Sequence, residues 1–361
     1  MKVTIIGGGN IGTLMAAELL FKDYEVCIYT SSPEKWDSQL EVYNNNGQFL
    51  FKSDGLEVSN DIETALENTD FVFITYPSSL FKELSSLLLP HIHEGMHVGV
   101  VPGAGGAEFQ FKDLIKKGAI LFGLQRVHSI ARLKEYGKSV YMLGRKDKID
   151  IATFPQGHEE FVRKNLEEMF DMSCRIIDNY LNITLTPSNP ILHTSRIYSM
   201  FKDSMEFDRN ILFYEEWTDD SSDMLIKCDS ELQKLCGKMD KFNLNEVISL
   251  KNHYESFTVP AMTEKITSIE AFKGLTSPMK KDNDKWVPDF SSRYFTSDFA
   301  YGLKIILDIG KLYDVEMPNI LKIWNWYVDV SENSNFFSLA DLEIDNKEEF
   351  EDYYFKERLK S

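Results

Sequence analysis

The stretch Lys2-Val-Thr-Ile-Ile-Gly-Gly-Gly-Asn-Ile-Gly12 decides the fold of the first half of this 361-residue chain. Its β-branched, apolar beginning predicts a buried strand, and the apolar residues around and after Gly12 recur at the spacing of a helix. Between the two stand Gly7, Gly9 and Gly12, with the GxGxxG spacing of a loop that binds the pyrophosphate of a dinucleotide. A predicted strand before this loop and a predicted helix after it provide the structural setting that the motif requires.

The candidate cofactor-binding residues of this loop are Gly7, Gly9, Asn10, Ile11 and Gly12. Gly7 allows a tight turn, Gly9 lets the backbone approach a phosphate, and Gly12 lets the helix pack closely on the strand. The N-terminus of the helix then presents free N–H groups to the phosphates. The alternative is a glycine-rich turn in an α/β protein that binds no ligand.

The residues after the second predicted strand, which ends at Tyr29, indicate the type of dinucleotide. Chains that bind NAD usually carry an acidic residue there, which accepts hydrogen bonds from the ribose hydroxyls. Here Thr30, Ser31 and Ser32 follow, with Lys35 nearby, so hydroxyls and an ammonium group are available to hold a 2′-phosphate. NADPH is therefore favoured over NADH. The alternative is an ordinary turn that caps the next helix.

Composition limits the partners of the protein. The formal net charge of -18 argues against nucleic acid and against an anionic membrane surface, so we expect small-molecule partners. No secretory signal or membrane-spanning stretch is recognisable, and the four cysteines have no CxxC spacing, so we expect reduced thiols in a cytoplasmic protein. The histidines His91, His93 and His97 lack an Asp or Cys that would complete a site, and no metal is expected.

The first half of the chain alternates strand and helix signals. This pattern predicts a Rossmann-type, doubly wound and largely parallel sheet over residues 1–178, which Ser139–Leu143 and Cys174–Ile177 are expected to extend. Over residues 179–361 apolar residues recur at helical spacing, which predicts an all-helical second domain. The predicted helices of that domain are Ile191–Phe207, Met224–Met239, Met262–Phe272, Ala300–Tyr313 and Asn319–Val328.

Three polar residues of the second half suit the reduction of a C=O or C=N bond. Hydride transfer requires a proton donor at the substrate, and the imidazole of His193 suits that role near neutral pH. Asp298 would orient the imidazole and stabilise its cation, and Arg293 offers a bidentate fork to a carboxylate. Each also has a structural alternative, as a capping or packing residue for His193 and Asp298 and as a surface charge for Arg293.

Several segments together resemble the opine dehydrogenases, the octopine and nopaline dehydrogenase family. They are distributed over both predicted domains, and the last two are fairly specific. The segments are the N-terminal glycine motif, Val101-Pro-Gly-Ala-Gly-Gly106, Ala131-Arg-Leu-Lys-Glu-Tyr-Gly-Lys-Ser-Val140 followed by Leu143-Gly144, Asn189-Pro-Ile-Leu-His193, and Arg293-Tyr-x-x-x-Asp298-x-x-Tyr-Gly-Leu303.

The resemblance implies a helical domain of the octopine dehydrogenase type, similar to that of 6-phosphogluconate dehydrogenase, after the Rossmann domain. It implies the reductive condensation of an α-keto acid, such as pyruvate, with the amino group of an amino acid, by hydride transfer from NAD(P)H to an imine. By motif, His193 is similar to the proton-transfer histidine of the family and Asp298 to its carboxylate partner. Arg293 is similar to the residue that binds substrate carboxylate.

One strip departs from the family pattern. Where the family often has a Pro-Tyr-x-Cys-Arg-like arrangement, this chain has Val127-His-Ser-Ile-Ala-Arg132, and the identity of the substrates is open for that reason. Within the strip, His128 is either a pocket residue or a polar group at a strand end. The second expectation is favoured.

Two other functions remain open. A reductase of the ketopantoate or β-hydroxyacid type would use a lysine of the second domain, and Lys202 stands nine residues after His193 without a convincing asparagine partner. A dinucleotide-binding sensor would bind the cofactor without turnover. The oligomeric state is also open, with a homodimer as one possibility, since the aromatic segment Ile323–Tyr327 suits a core or an interface equally.

Overall fold

The computed structural model describes residues 1–356 and divides into two compact units. The first unit comprises Met1–Thr184 together with the described residues from Tyr353 onward, and the second comprises Leu185–Asp352. The N-terminal segment of the first unit is observed to end at Thr184, whereas the predicted boundary follows Asp178. The return of the chain to the first unit at Tyr353 has no counterpart in the sequence analysis.

The first unit contains an eight-stranded sheet with the order β12-β11-β8-β7-β6-β1-β2-β5. Its neighbours pair in parallel, except that β11 runs antiparallel to β8. From β1 the chain builds outward first to one side and then to the other, which creates a topological switch point beside β1. The strands are β1 Lys2–Ile6, β2 Glu25–Tyr29, β5 Glu57–Ser59, β6 Phe71–Ile74, β7 His97–Val100, β8 Ile120–Leu124, β11 Lys148–Phe154 and β12 Ser173–Ile176. The predicted Rossmann-type sheet is confirmed, including its extension by the strand near Cys174.

A second, four-stranded sheet in this unit has the order β4-β3-β10-β9. Its strands are β3 Gln39–Asn44, β4 Phe49–Asp54, β9 Ser129–Glu135 and β10 Ser139–Arg145. The prediction that Ser139–Leu143 extends the main sheet is therefore wrong. The physical reason is that β10 pairs with β9 and β3, and that helix α1, Asn10–Phe21, packs between β2 of one sheet and the strands of the other.

Helix α1 is apolar around most of its circumference because two sheets cover it. Residues Gly12–Leu20 are all buried, and the helix has little amphipathic character. The other helices of the first unit are α2 Ile62–Leu66, α3 Phe81–Leu88, α4 Ala107–Gln110, α5 Lys112–Lys116, α6 Glu159–Phe170 and α7 Leu181–Thr184. Of these, α3 and α6 are amphipathic and bury one apolar face, whereas all residues of α7 are buried.

The second unit is mainly helical, as predicted, but it is not all-helical. A hairpin of β13, Met279–Asp282, and β14, Lys285–Pro288, interrupts it, with Asn283 at a φ of 51° in the turn. The α-helices are α8 Leu192–Phe201, α9 Asp219–Lys238, α10 Leu250–His253, α11 Val259–Ser268, α12 Lys304–Leu312 and α13 Pro318–Val330, and α14 Lys347–Lys356 passes from this unit into the first.

Several predicted helices of the second unit differ in their bounds from the observed ones. The first ends at Phe201 instead of Phe207, α9 begins earlier than the predicted Met224, and α11 ends at Ser268 instead of Phe272. The first residues of the helix predicted from Ala300 belong to a ten-residue π-helix, Tyr294–Leu303, which α12 follows. The hydrogen bonds of a π-helix span five residues instead of four, a difference that apolar periodicity over ten residues does not resolve. Within the described residues no helix has both the length and the apolar character needed to cross a bilayer.

Candidate active site

The glycine loop of the first unit connects β1 to α1 at the switch point of the sheet. Gly7 adopts a φ of 118°, which L side chains rarely adopt. A Cβ on Gly12 would lie 1.9 Å from the carbonyl oxygen of Gly7, so this helix residue must be glycine for the loop to close against it. A Cβ on Gly9 would meet nothing within 4 Å, so there is open space above its backbone. The three glycines therefore fit the cradle of a dinucleotide pyrophosphate.

The first turn of α1 suits an anion. The N-cap residue is Gly9, which has no side chain to occupy the N–H groups of the helix N-terminus. Asn10 faces another partner, since its Oδ1 accepts a hydrogen bond of 2.8 Å from the backbone N–H of Leu133 on β9. Ile11 is half-buried against the apolar core. In these two candidates the backbone, rather than the side chain, is available to a cofactor.

The segment after β2 places the candidate ligands of a 2′-phosphate in different environments. The hydroxyl of Thr30 is buried and lies 3.0 Å from the hydroxyl of Tyr136. Ser31 and Lys35 are exposed. Trp36 packs over the glycine loop, because a Cβ on Gly8 would lie 2.2 Å from its ring.

The second unit brings together the imidazole and the carboxylate that the motifs singled out. Nδ1 of His193, in the first turn of α8, lies 2.8 Å from Oδ2 of Asp298 in the π-helix. Both side chains are buried. Gly302 allows this approach, because a Cβ there would lie 2.9 Å from Cβ of Pro190, just before α8.

The pairing with Asp298 determines the tautomer of the neutral imidazole. An ionised carboxylate only accepts hydrogen bonds, so Nδ1 of His193 carries a proton and donates to Asp298. In the neutral imidazole the lone pair then lies on Nε2, which can take up a proton while the carboxylate stabilises the resulting cation. This arrangement is that of a general acid–base pair.

A residue that the sequence analysis missed completes the surroundings of the imidazole. The hydroxyl of Tyr214 lies 3.0 Å from Nε2 of His193. Tyr214 stands in the loop between α8 and α9, outside every motif and every periodic segment, so no sequence signal indicated it. Burial raises the pKa of its phenol well above the ordinary value of 10.0, and the group therefore stays protonated.

Arg293 lies beside the pair at the start of the π-helix. Its Nη1 is 3.9 Å from Oδ2 of Asp298, and about half of the side chain is exposed. The guanidinium also lies over the ring of Tyr294, which itself contacts the imidazole of His193 at 4.7 Å between ring centroids. An accessible guanidinium next to the acid–base pair is suited to binding a substrate carboxylate.

Other histidines of the first unit have packing roles. His128 is fully buried, and its Nε2 lies 2.6 Å from Oε2 of Glu18 on α1, which also pairs with Arg145. It directly precedes β9, the position expected of a polar group at a strand end. The ring of His97 stacks on Phe71 and on Phe161, and burial lowers its pKa to about 4. No group of three potential metal ligands occurs among residues 1–356.

The fold and the two sets of residues define a class of protein. A Rossmann-type unit with a glycine loop at its switch point provides a dinucleotide site, and a helical unit provides a buried histidine–carboxylate pair next to an accessible arginine. These are the parts of a nicotinamide-dependent oxidoreductase.

Known proteins place the chain within that class. The protein-family model for the alpha-helical domain of NAD/NADP octopine/nopaline dehydrogenase matches residues 176–331. The family model for the N-terminus of NAD-dependent glycerol-3-phosphate dehydrogenase matches residues 2–115. The chain is 26% identical to the tauropine dehydrogenase of Arabella iricolor, with 90% of each chain covered. It is 24% identical to the octopine dehydrogenase of Mizuhopecten yessoensis, with 90% of this chain and 89% of that one covered.

A solved structure has the same fold. An octopine dehydrogenase in complex with NADH and agmatine gives a TM-score of 0.79 at 19% sequence identity, covering 99% of this chain and 95% of that one. The resemblance to the octopine and nopaline dehydrogenases that the sequence motifs predict is confirmed. The protein is an NAD(P)-dependent oxidoreductase, similar over most of its length to tauropine and octopine dehydrogenases.

Proposed function

We propose that the protein condenses an α-keto acid with the amino group of an amino acid and reduces the resulting imine. The observation that carries the proposal is the 2.8 Å contact between His193 and Asp298, which joins residues 105 positions apart in the chain. The relatives named tauropine dehydrogenase and octopine dehydrogenase support it, since each alignment covers 90% of this chain.

His193, Asp298 and Arg293 each have a defined task in this reaction. Condensation of the ketone with the amine forms a C=N bond and releases one water molecule. When bound, the dinucleotide supplies the hydride for the imine carbon. His193 exchanges the proton that the nitrogen requires, and Asp298 holds the imidazole and stabilises its cation. Arg293 binds a carboxylate of the substrate and thereby orients it.

The cofactor is proposed to be held by the backbone of the glycine loop and the first turn of α1, at Gly7, Gly9, Asn10, Ile11 and Gly12. We propose that NADPH is favoured over NADH. This preference is supported by the uncharged residues that follow β2 and by the exposed side chains of Ser31 and Lys35, which suit a 2′-phosphate. Thr30 is proposed to act indirectly, because its hydroxyl is hydrogen-bonded to that of Tyr136 and holds Tyr136 in place.

The test is a panel of α-keto acids, each with and without a panel of amino acids, in which the absorbance of NADPH and of NADH is followed. We expect oxidation of the cofactor only when both substrates are present, with the lower KM for NADPH. Reduction of a keto acid without any amine would contradict the proposed reaction and support a ketopantoate-type reductase. A lower KM for NADH would contradict the cofactor preference alone.

A further inference from the structure

The loop that carries Tyr214 is fixed by the same helix that carries His193. Arg196 stands one turn after His193 on α8 and is buried. Its Nε donates to the carbonyl oxygen of Phe213 at 3.0 Å, and its Nη2 donates to that of Glu216 at 2.7 Å. A buried guanidinium is stabilised only when its donors are satisfied, so these bonds hold the loop at a defined distance from the imidazole.

Aromatic packing fixes the ring of Tyr214 as well. It stacks on Phe272 with 4.1 Å between ring centroids and an angle of 20° between the planes. The ring of Phe213 contacts both Tyr214, at 4.8 Å, and His193, at 5.7 Å. Only 6% of Tyr214 is exposed. The surrounding side chains therefore fix its ring and hold its hydroxyl toward Nε2 of His193.

This placement has a consequence for the path of the proton. The proton-accepting atom of the imidazole is Nε2, because Nδ1 donates to Asp298. Nε2 is in contact with the Tyr214 hydroxyl, and His193 is only 5% exposed. A substrate atom therefore reaches Nε2 either after Tyr214 has moved away or through the hydroxyl itself.

We propose that Tyr214 relays the proton between the substrate and His193. This inference rests on the proposed function, because it assigns the proton step of that reaction to a specific pair of atoms. In the direction of reduction, the phenol O–H bond breaks and its proton passes to the substrate nitrogen. At the same time Nε2 of the imidazolium gives its proton to the phenol oxygen. The products are the protonated substrate, an intact phenol and a neutral imidazole, so protons and charge balance.

The relay differs from the alternative in which the substrate displaces Tyr214. In a relay the hydroxyl is required for turnover, and two protons move in one step. In displacement the hydroxyl competes with the substrate for Nε2, so removing it would tighten substrate binding and leave turnover intact. The ring packing is the same in both cases, and substitution by phenylalanine preserves it.

The experiment compares Tyr214→Phe with the wild-type enzyme and with Tyr198→Phe. Tyr198, on α8, is a second buried tyrosine, but it contacts Trp326 and lies outside the site. Its variant therefore controls for the loss of a phenol hydroxyl. Steady-state rates are measured in mixtures of H₂O and D₂O with whichever substrates the wild type turns over. The ¹⁵N chemical shifts of the His193 imidazole are recorded for all three proteins.

For Tyr214→Phe we expect kcat to fall by about a hundredfold, the lower range for loss of acid–base catalysis, with little change in KM. The dependence of the rate on the D₂O fraction should be curved in the wild type and in Tyr198→Phe, and linear in Tyr214→Phe. The Nε2 resonance should shift on loss of its hydrogen bond in Tyr214→Phe alone.

Three results would overturn the relay. They are an unchanged kcat with a lower KM, a reduced kcat with the D₂O dependence of the wild type, and an unchanged Nε2 resonance. Turnover of a keto acid without an amine would refute the proposed reaction, but the isotope measurement on that substrate would still decide for or against the relay. The two failures are therefore distinguishable.

Discussion

At the scale of single residues, the hydrogen bond from His193 to Asp298 determines which tautomer of the imidazole is present. The carboxylate fixes the proton on Nδ1 and leaves Nε2 for chemistry. Both groups are buried, and an asparagine in place of Asp298 keeps the shape of the side chain without its charge. The role of Asp298 in catalysis can therefore be separated from its role in folding by an amide of the same shape.

We predict that Asp298→Asn lowers kcat at least about a hundredfold, because an amide can neither stabilise the imidazolium nor enforce the tautomer. The affinity for the cofactor, measured by titration of NADPH fluorescence, should be unchanged. Asp329→Asn serves as the matched control, since Asp329 is an exposed residue of α13 in the same unit. Near-normal turnover by Asp298→Asn would remove the carboxylate from the mechanism.

Motifs made it possible to select His193, Asp298 and Arg293 from the sequence, because each belongs to a recognisable segment. Tyr214 belongs to none, and its approach to Nε2 results from the bonds of Arg196 to two backbone carbonyls. Such an approach depends on loop geometry that has no periodic signature. The side-chain role of Asn10 was likewise hidden, since its partner Leu133 is 123 positions away.

At the scale of elements, the turn between β1 and α1 contains glycines with different physical tasks. Gly12 is required by the protein itself, because a Cβ there would collide with the backbone of Gly7. Gly9 faces open space, so only an approaching ligand would meet its Cβ. The two positions therefore separate folding from cofactor binding.

We predict that alanine variants at two positions of this turn change different properties, cofactor affinity for Gly9→Ala and stability for Gly12→Ala. Gly9→Ala should keep the melting temperature of the wild type and raise the Kd for NADPH by roughly tenfold or more, the cost of losing one hydrogen bond to a charged group. Gly12→Ala should lower the free energy of unfolding by about 1–3 kcal/mol or more through overpacking. Calorimetry and fluorescence titration measure both quantities. An unchanged Kd in Gly9→Ala would exclude this loop from the phosphate site.

The short helix α4 carries a fully buried carboxyl group at Glu108. Its Oε1 accepts hydrogen bonds from Thr184, at 2.6 Å, and from Tyr354 of α14, at 2.7 Å. Oε2 has no hydrogen-bond partner among the described residues. Burial raises the pKa of this carboxyl to about 7 from its ordinary value of 4.5. The last helix is thus held to the first unit through a group that prefers to be neutral.

The raised pKa predicts a specific dependence of stability on pH. Between about pH 4.5 and 7 the folded state retains the Glu108 proton while the unfolded state releases it, so the free energy of unfolding falls as pH rises. Glu108→Gln keeps the Oε1 acceptor and removes this dependence. The melting temperature of Glu108→Gln minus that of the wild type should increase between pH 5 and pH 8. The corresponding change in the difference between their free energies of unfolding is up to about 3 kcal/mol.

The control for this prediction is Glu63→Gln, a change at an exposed position of α2 in the same unit. Its melting temperature should follow that of the wild type at every pH. A constant difference between Glu108→Gln and the wild type over the same range would show that the buried carboxyl does not titrate there.

At the scale of the whole molecule, the sequence predicted the Rossmann-type unit and the helical unit because local periodicity specifies both. It did not predict the second sheet, since strand β10 has the same alternation whichever sheet it joins. It also did not predict the return of the chain at Tyr353, which depends on the ring contacts of that residue with Phe109 and Phe154. Partner choice between distant segments is decided by packing, which local patterns do not contain.

The net charge of -18 also acts at this scale. It makes the background potential unfavourable for an anionic dinucleotide and for carboxylate substrates. Against this background the first unit offers local positive charge at the N-terminus of α1 and at the exposed Lys35, and the second unit offers it at the half-exposed Arg293.

The most direct test of the proposed reaction follows the hydride itself. The enzyme is supplied with NADPH that carries deuterium at the transferred position, together with a keto acid and an amino acid, and the products are analysed by mass spectrometry. We predict a secondary amine whose mass is that of both substrates less one water molecule plus one deuterium and one hydrogen, with the deuterium on the former keto carbon. Deuterium found instead in a 2-hydroxy acid, with the amino acid unchanged, would contradict the proposed reaction.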